Sequence, residues 1–195
     1  MKKTLLAASA AAMALAIGAP AYAQSKGDMT LGLGIGWVNP PGADGIGGAL
    51  DGKEDVRPTL TFEYFIADNI GLEILAATPF EHELVVGGSS IGTTKHLPPT
   101  ISVNYHFPTG GKVTPFVGAG VNFTHFWDEP TGISIDDSWG FALHAGADFA
   151  ISDSAAIRAD IRYIQIESDV FSGGTKIGTA EINPVVLGVS YIMKF

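Results

Sequence analysis

Hydrophobic and polar positions alternate with a period of two through most of the chain, and eight segments hold that alternation long enough to be strands. In the first, Leu31, Leu33, Ile35 and Trp37 share a face and glycines fill the other. In the second, Leu60, Phe62 and Tyr64 oppose Thr59, Thr61 and Glu63. Leu72, Ile74 and Ala76 then oppose Glu73, Leu75 and Ala77. Leu97, Pro99, Ile101, Val103, Tyr105 and Phe107 oppose His96, Pro98, Thr100, Ser102, Asn104 and His106. The fifth carries Val117 to Phe123, the sixth Trp139 to Phe149, and the seventh Ile157 to Tyr163 against Arg158, Asp160 and Arg162. In the last, Val185, Leu187, Val189, Tyr191, Met193 and Phe195 face one way, and Val186, Gly188, Ser190, Ile192 and Lys194 the other. A soluble edge strand of that kind would offer both a hydrogen-bonding edge and an apolar face to other chains. A strand that closes a barrel in a bilayer offers neither.

The connections alternate in character. Those after the second, fourth and sixth segments are short; the others are longer and Gly-rich, beginning with the stretch from Asn39 to Asp55. Short turns at one end and long loops at the other suit an outer-membrane barrel with both termini on the periplasmic side. Aromatic residues gather near the strand ends as two interfacial girdles: Tyr64, Tyr105, Phe107, Phe149, Tyr191 and Phe195 below, Trp37, Phe126, Trp127 and Trp139 above. A soluble eight-stranded barrel of the lipocalin type would turn its apolar face inward. The girdles and the terminal aromatic favour the membrane.

The N-terminus agrees with that compartment. Lys2 and Lys3 precede an apolar run from Leu5 to Ile17, and Ala21-Tyr22-Ala23 is a small-x-small cleavage signal, so residues 1–23 read as a signal peptide and 24–195 as one barrel domain. Losing Lys2 and Lys3 leaves 9 basic against 20 acidic side chains, a net charge of −11, which argues against nucleic acid as a partner. No cysteine is present, so disulfide and thiol chemistry are excluded.

Several runs together are specific. Asp68-Asn-Ile-Gly-Leu-Glu73, Ala76-Ala-Thr-Pro-Phe80, Lys95-His-Leu-Pro-Pro-Thr100, Asn104-Tyr-His-Phe107, Pro115 to Thr124, Asp136-Asp-Ser-Trp-Gly140 and the terminal Tyr191 to Phe195 resemble the outer membrane protein W family, over nearly all of the mature chain. The resemblance implies an eight-stranded, all-β, antiparallel transmembrane barrel. It also implies passage of small hydrophobic solutes across the outer membrane, with lateral exit into the lipid. Tyr191 and Phe195 resemble the C-terminal signal that other outer-membrane proteins show to the barrel-assembly machinery.

Inward parity separates the lumen into two levels. Glu63, Glu73, His106, Asp148, Arg158, Asp160, Arg162 and Lys194 fall low and should pair into a charged plug, because an unpaired buried charge is costly. Eight strands enclose little more than their own side chains. Leu75, Ala77, Pro98, Ile164 and Ile166 fall high and form a candidate apolar recess. With a hairpin tip between Gly88 and Ser89, Pro79 falls opposite Pro98, and Pro99 removes another ladder donor. Those three prolines mark a candidate lateral opening.

Other chemistry is thin. The five histidines, His82, His96, His106, His125 and His144, show no metal-motif spacing, and structural hydrogen bonding accounts for them. Gly32-x-Gly34-x-Gly36 has no following helix, so it is no nucleotide loop. The outward face carries no Ser/His pair for a lipid-modifying enzyme. Neither a cofactor nor catalysis is expected. The reading is a channel for small hydrophobic molecules. The alternative is a structural or adhesive barrel whose loops receive phage, bacteriocins or host surfaces.

Overall fold

The structure, a computed structural model, describes residues 24–39, 55–86 and 89–195. The expected signal peptide, most of the first external loop and Gly87-Gly88 lie outside the described residues. Thirteen strands follow in chain order: β1 (Met29–Asn39), β2 (Asp55–Ala67), β3 (Ile70–Ala77), β4 (Phe80–Val86), β5 (Ser89–Leu97), β6 (Thr100–His106), β7 (Val113–Trp127), β8 (Ile133–Ile135), β9 (Ser138–Ser152), β10 (Ala155–Ile164), β11 (Glu167–Ser172), β12 (Thr175–Glu181) and β13 (Val185–Lys194).

Eight of them are staves of a closed antiparallel barrel. β2 pairs β1, β1 pairs β13, and the ring continues through β10, β9, β7, β6 and β3 back to β2. The terminal strand closes the barrel, with Leu33 opposite Tyr191. Closure removes every sheet edge from the hydrocarbon.

The register turns the period-two alternation into a lipid-facing wall. Leu60, Leu33, Tyr191, Ile157 and Phe149 are neighbours in successive ladders, and all five are exposed. Their inward neighbours on the same strands, among them Thr61, Ser190, Arg158 and Asp148, are buried. Parity alone therefore locates charge inside and hydrocarbon outside. The short turns lie at one end, and Asn69, in a two-residue turn, takes a positive φ of 62°.

Five strands lie outside the ring. The β4–β5 hairpin continues β3 and β6 beyond the barrel, and Lys95 to Leu97 pair with His125 to Trp127 on β7. β8, β11 and β12 make a separate three-stranded sheet. Its Ile135, Val170 and Ala180 bury against Phe126, Ala142 and Ile164 of the barrel and Ile166 and Ile182 of the linking segments. The connections after β7 and β10 thus form an apolar cap over the upper lumen.

Two expectations about placement change. Phe126 belongs to this cap rather than to the upper girdle: its even position on β7 points inward, and it is buried. The segment from Asp128 to Asp137, one of the connections expected as a long loop, contains β8, whose three residues are too few for an alternation to be read.

Candidate functional site

The lower lumen is a cross-linked charged layer. Arg158, fully enclosed, donates Nε to Asp148 Oδ1 at 2.7 Å and Nη1 to Glu73 Oε2 at 2.8 Å. Its Nη2 donates to Asp148 Oδ2 at 3.0 Å and Glu63 Oε2 at 3.2 Å. The guanidinium also lies 4.4 Å above the Phe116 ring centroid. Arg162 donates Nη2 to Glu73 Oε1 at 2.9 Å, with Asp160 at 3.7 Å from its Nε. Glu63 Oε1 accepts from Asn104 at 2.9 Å and lies 2.8 Å from His106 Nε2. His144 Nε2 lies 2.5 Å from Asn104 Oδ1 and packs edge-on against Phe116. These bonds join staves far apart in sequence, β2, β3 and β6 with β9 and β10. Ionised groups at such depth persist only when bonded on all sides.

Glycine makes space for this layer. A Cβ at Gly71 would run into the Glu63 carboxylate, and one at Gly118 into His144 and Asn104. Beneath the layer, Gln24 is buried with its amide 3.4 Å from Asp148 Oδ2. The backbone of the same residue accepts from Asn69 N–H.

The structure brings seven of the eight expected plug residues together: Glu63, Glu73, His106, Asp148, Arg158, Asp160 and Arg162. Lys194 stands apart. It is half-buried at the rim, 3.5 Å from Asp28 Oδ2. The buried Ile192–Ala156 pair fills the inward level between it and Ser190, so the ammonium turns to water. Four participants were missed from the sequence: Asn104, Phe116, His144 and Gln24. The first three had inward parity, and an inward Asn or His beside a carboxylate is the signal that would have found Asn104 and His144.

The upper lumen is apolar. One small cavity, about 30 Å³, is lined by Val38, Phe80, Pro98, Ile164, Ile166 and Ile182 among others. A second of about 30 Å³ lies against Leu75 and Ala77 with Arg57 and Thr59 at its edge, sharing Val38, Phe80, Pro98, Ile164 and Val186 with the first. All five recess candidates line one or the other. Val38, Phe80, Ile182, Pro184 and Val186 were missed; Val38 and Val186 have inward parity, but Ile182 and Pro184 lie in a segment without alternation.

Beside the recess the wall is interrupted. The β3–β6 ladder stops at Leu75 opposite Thr100 and resumes in β4–β5 at Phe80 opposite His96. Between these pairs, four residues, Ala76 to Pro79, face three, Leu97 to Pro99. Pro79 therefore does not sit opposite Pro98 as a regular hairpin would have it. The prolines supply no ladder N–H, and the extra residue is absorbed there as an irregularity. One extra residue also reverses facing: Pro79 is exposed, Phe80 is buried, and Pro98 is buried against both cavities. The freed groups turn sideways, Thr78 N–H to Pro58 O and Phe123 N–H to Pro99 O.

Phe80 stands where the interruption meets the recess. Its ring stacks on His96 at 5.3 Å, and the Arg57 guanidinium lies 5.7 Å from its centroid. Among the described residues no cluster of histidines and carboxylates could hold a metal ion. His125 pairs with Asp137 at 2.8 Å on the surface, away from both levels.

Comparison with known proteins matches residues 38–195 to the OmpW family model. Outer membrane protein W of Vibrio cholerae is 35% identical over the whole of both chains. The crystal structure of outer membrane protein OprG from Pseudomonas aeruginosa superposes with a TM-score of 0.77 at 28% identity, covering 90% of this chain and 99% of that one. A more distant relative, 28% identical over 63% of this chain and 62% of its own length, is the dibenzothiophene metabolism operon protein PahQ of Pseudomonas aeruginosa.

Proposed function

This chain belongs to the OmpW family of the Gram-negative outer membrane, and on that premise we propose that it is a channel for passive uptake of small hydrophobic molecules. The observation that carries the proposal is the abrupt change of chemistry along one lumen, from apolar recess to bonded charge. A solute entering among the external loops meets Leu75, Pro98, Ile164 and Ile166, then a layer in which Arg158 is held by three carboxylates. The bonds of that layer cross the lumen from β10 to β3 and β2, and a hydrocarbon has no reason to enter it. Its exit is sideways, past Phe80 and the interrupted ladder at Pro79, Pro98 and Pro99, into the bilayer. A relative named for dibenzothiophene metabolism, an aromatic hydrophobic compound, supports this substrate class. A purely adhesive barrel would leave the recess without a use.

The test is octane uptake by cells that carry or lack the barrel, repeated in vesicles with a lipopolysaccharide outer leaflet. Faster uptake with the barrel is expected. Equal uptake would end the channel reading. Replacing both Pro79 and Pro98 by Thr should restore ladder donors and slow release; unchanged uptake would remove the lateral exit alone.

A further inference from the structure

A third cavity lies directly below the apolar pair. It measures about 20 Å³ and is lined by Thr61, Ser190, Asp160, Arg158 and Arg162, with Gly36, Thr59, Leu75 and Val186 shared with the cavity above. An apolar chamber therefore opens onto a polar one. The two guanidiniums there differ. Every nitrogen of Arg158 bonds a carboxylate. Arg162 spends Nη2 on Glu73 and holds Nε near Asp160, but its buried Nη1 has no acceptor among the described residues. A buried donor left unpaired in a native structure calls for a partner.

We propose that the barrel selects neutral amphiphiles, molecules with an unbranched apolar tail and one small hydrogen-bond-accepting head. The tail lies along Leu75, Pro98 and Ile164, and the head accepts from Arg162 Nη1. The inference rests on the channel reading and narrows its substrate class.

Charge decides against an anionic head. The layer contains four carboxylates, Glu63, Glu73, Asp148 and Asp160, against the guanidiniums of Arg158 and Arg162. Even with the imidazoles of His106 and His144 both protonated, it reaches only neutrality. It has no surplus positive charge to repay the desolvation of a carboxylate. A neutral carbonyl or hydroxyl oxygen carries no such cost. The Thr59, Thr61 and Ser190 hydroxyls can accept the proton of an alcohol head. Size points the same way, since a chamber of this volume admits one or two non-hydrogen atoms.

The experiment is a titration of the full barrel in lipid nanodiscs with octane, octanol, octanal and octanoate at equal mole fraction in the lipid. The readouts are the Arg162 guanidinium and Leu75 and Ile164 methyl NMR signals. Octane should move the methyls only. Octanol and octanal should move the guanidinium as well and bind about tenfold more tightly than octane, the worth of one hydrogen bond to a charged donor. Octanoate should bind no better than octane. In Arg162→Lys, which lacks the Nη1 donor, the ratio of octanol to octane affinity should fall toward one. Equal affinity of octane and octanol for the native barrel, or a preference for octanoate, would overturn the proposal and leave the channel reading standing. If neither octane nor octanol reached the methyls, both would fall. The native series decides even if Arg162→Lys does not reach the folded form.

Discussion

The two halves of this lumen occupy the same position in the fold and are built on opposite principles. Both draw on inward residues of shared staves, Leu75 and Glu73 on β3, Ile164 and Arg162 on β10. Below, the side chains are joined by directional bonds: Arg158 alone ties β10 to β9, β3 and β2. Above, Leu75, Phe80, Pro98, Ile164 and Val186 meet only by packing and leave small cavities. The lower half is held to one arrangement by these directional bonds, with Arg162 Nη1 a donor left over at its upper edge. The upper half can repack at little cost, because dispersion contacts have no fixed partners. A single barrel thus combines a rigid floor with a yielding chamber, and the boundary falls at Leu75 and Arg162.

The sharpest way to break that contrast is at its most bonded atom group. Arg158→Met should cost the barrel about 3–5 kcal/mol of unfolding free energy, since it strands the Glu63, Glu73 and Asp148 carboxylates without their cation. Urea titration followed by the heat-modifiable gel shift measures it. A loss below about 1 kcal/mol would show that water reaches the layer and that the floor is not the rigid half.

Phe80→Ala tests the upper half by the same assay. Truncating a buried Phe costs about 3 kcal/mol where the cavity stays open. Here the neighbours can collapse, so the loss should fall below that of Arg158→Met. The recess would gain volume beside the interrupted ladder, and octane uptake should rise. An equal stability loss with unchanged uptake would mean that both halves are rigid.

Gly71→Ala sharpens the lower half from the opposite direction, by adding rather than removing atoms. The new methyl meets the Glu63 carboxylate, which is itself held by Arg158, Asn104 and His106 and cannot swing away. A destabilisation of about 1–3 kcal/mol is expected. Gly36, which borders the cavities, would meet only the side chains of Val186 and Thr59 at 3.1 and 3.3 Å, so Gly36→Ala should cost less.

The difference between the halves also explains what the sequence revealed. Parity assigns a residue to the inside on any long strand, and a charged residue inside must find charge. Glu73 and Arg158 could therefore be placed together despite a separation of 85 positions. The recess was legible where parity holds, at Leu75, Ala77, Pro98, Ile164 and Ile166. Past Ala77 the extra residue at the prolines reversed the facing, and Phe80 took the inward place that regular counting would have given to Pro79. The cap was invisible for a different reason. β8 has three residues, and in β12 Thr175, Lys176 and Thr179 interrupt any apolar period. Such strands form because the barrel mouth supplies an apolar surface, which no local pattern records.

The cap offers the smallest and most local test. In its β11–β12 hairpin Asp169, half-exposed, accepts from Thr179 Oγ1 at 2.9 Å and pairs with Lys176 Nζ at 2.6 Å. The Lys176 and Thr179 donors hold its carboxyl below the ordinary aspartate range. A carboxylate lowered on folding stabilises the hairpin above its unfolded pKa, near pH 4, and that contribution is lost as pH falls through the folded value. Acidification from about pH 5 to pH 2 should therefore loosen the hairpin first, and shifts at Val170 and Gly178, which pair across it, report the change. Asp169→Asn should remove the acid step while leaving the barrel signals in place. Simultaneous movement of barrel and hairpin signals would mean that cap and floor respond as one body, and the yielding half would then extend no higher than the recess.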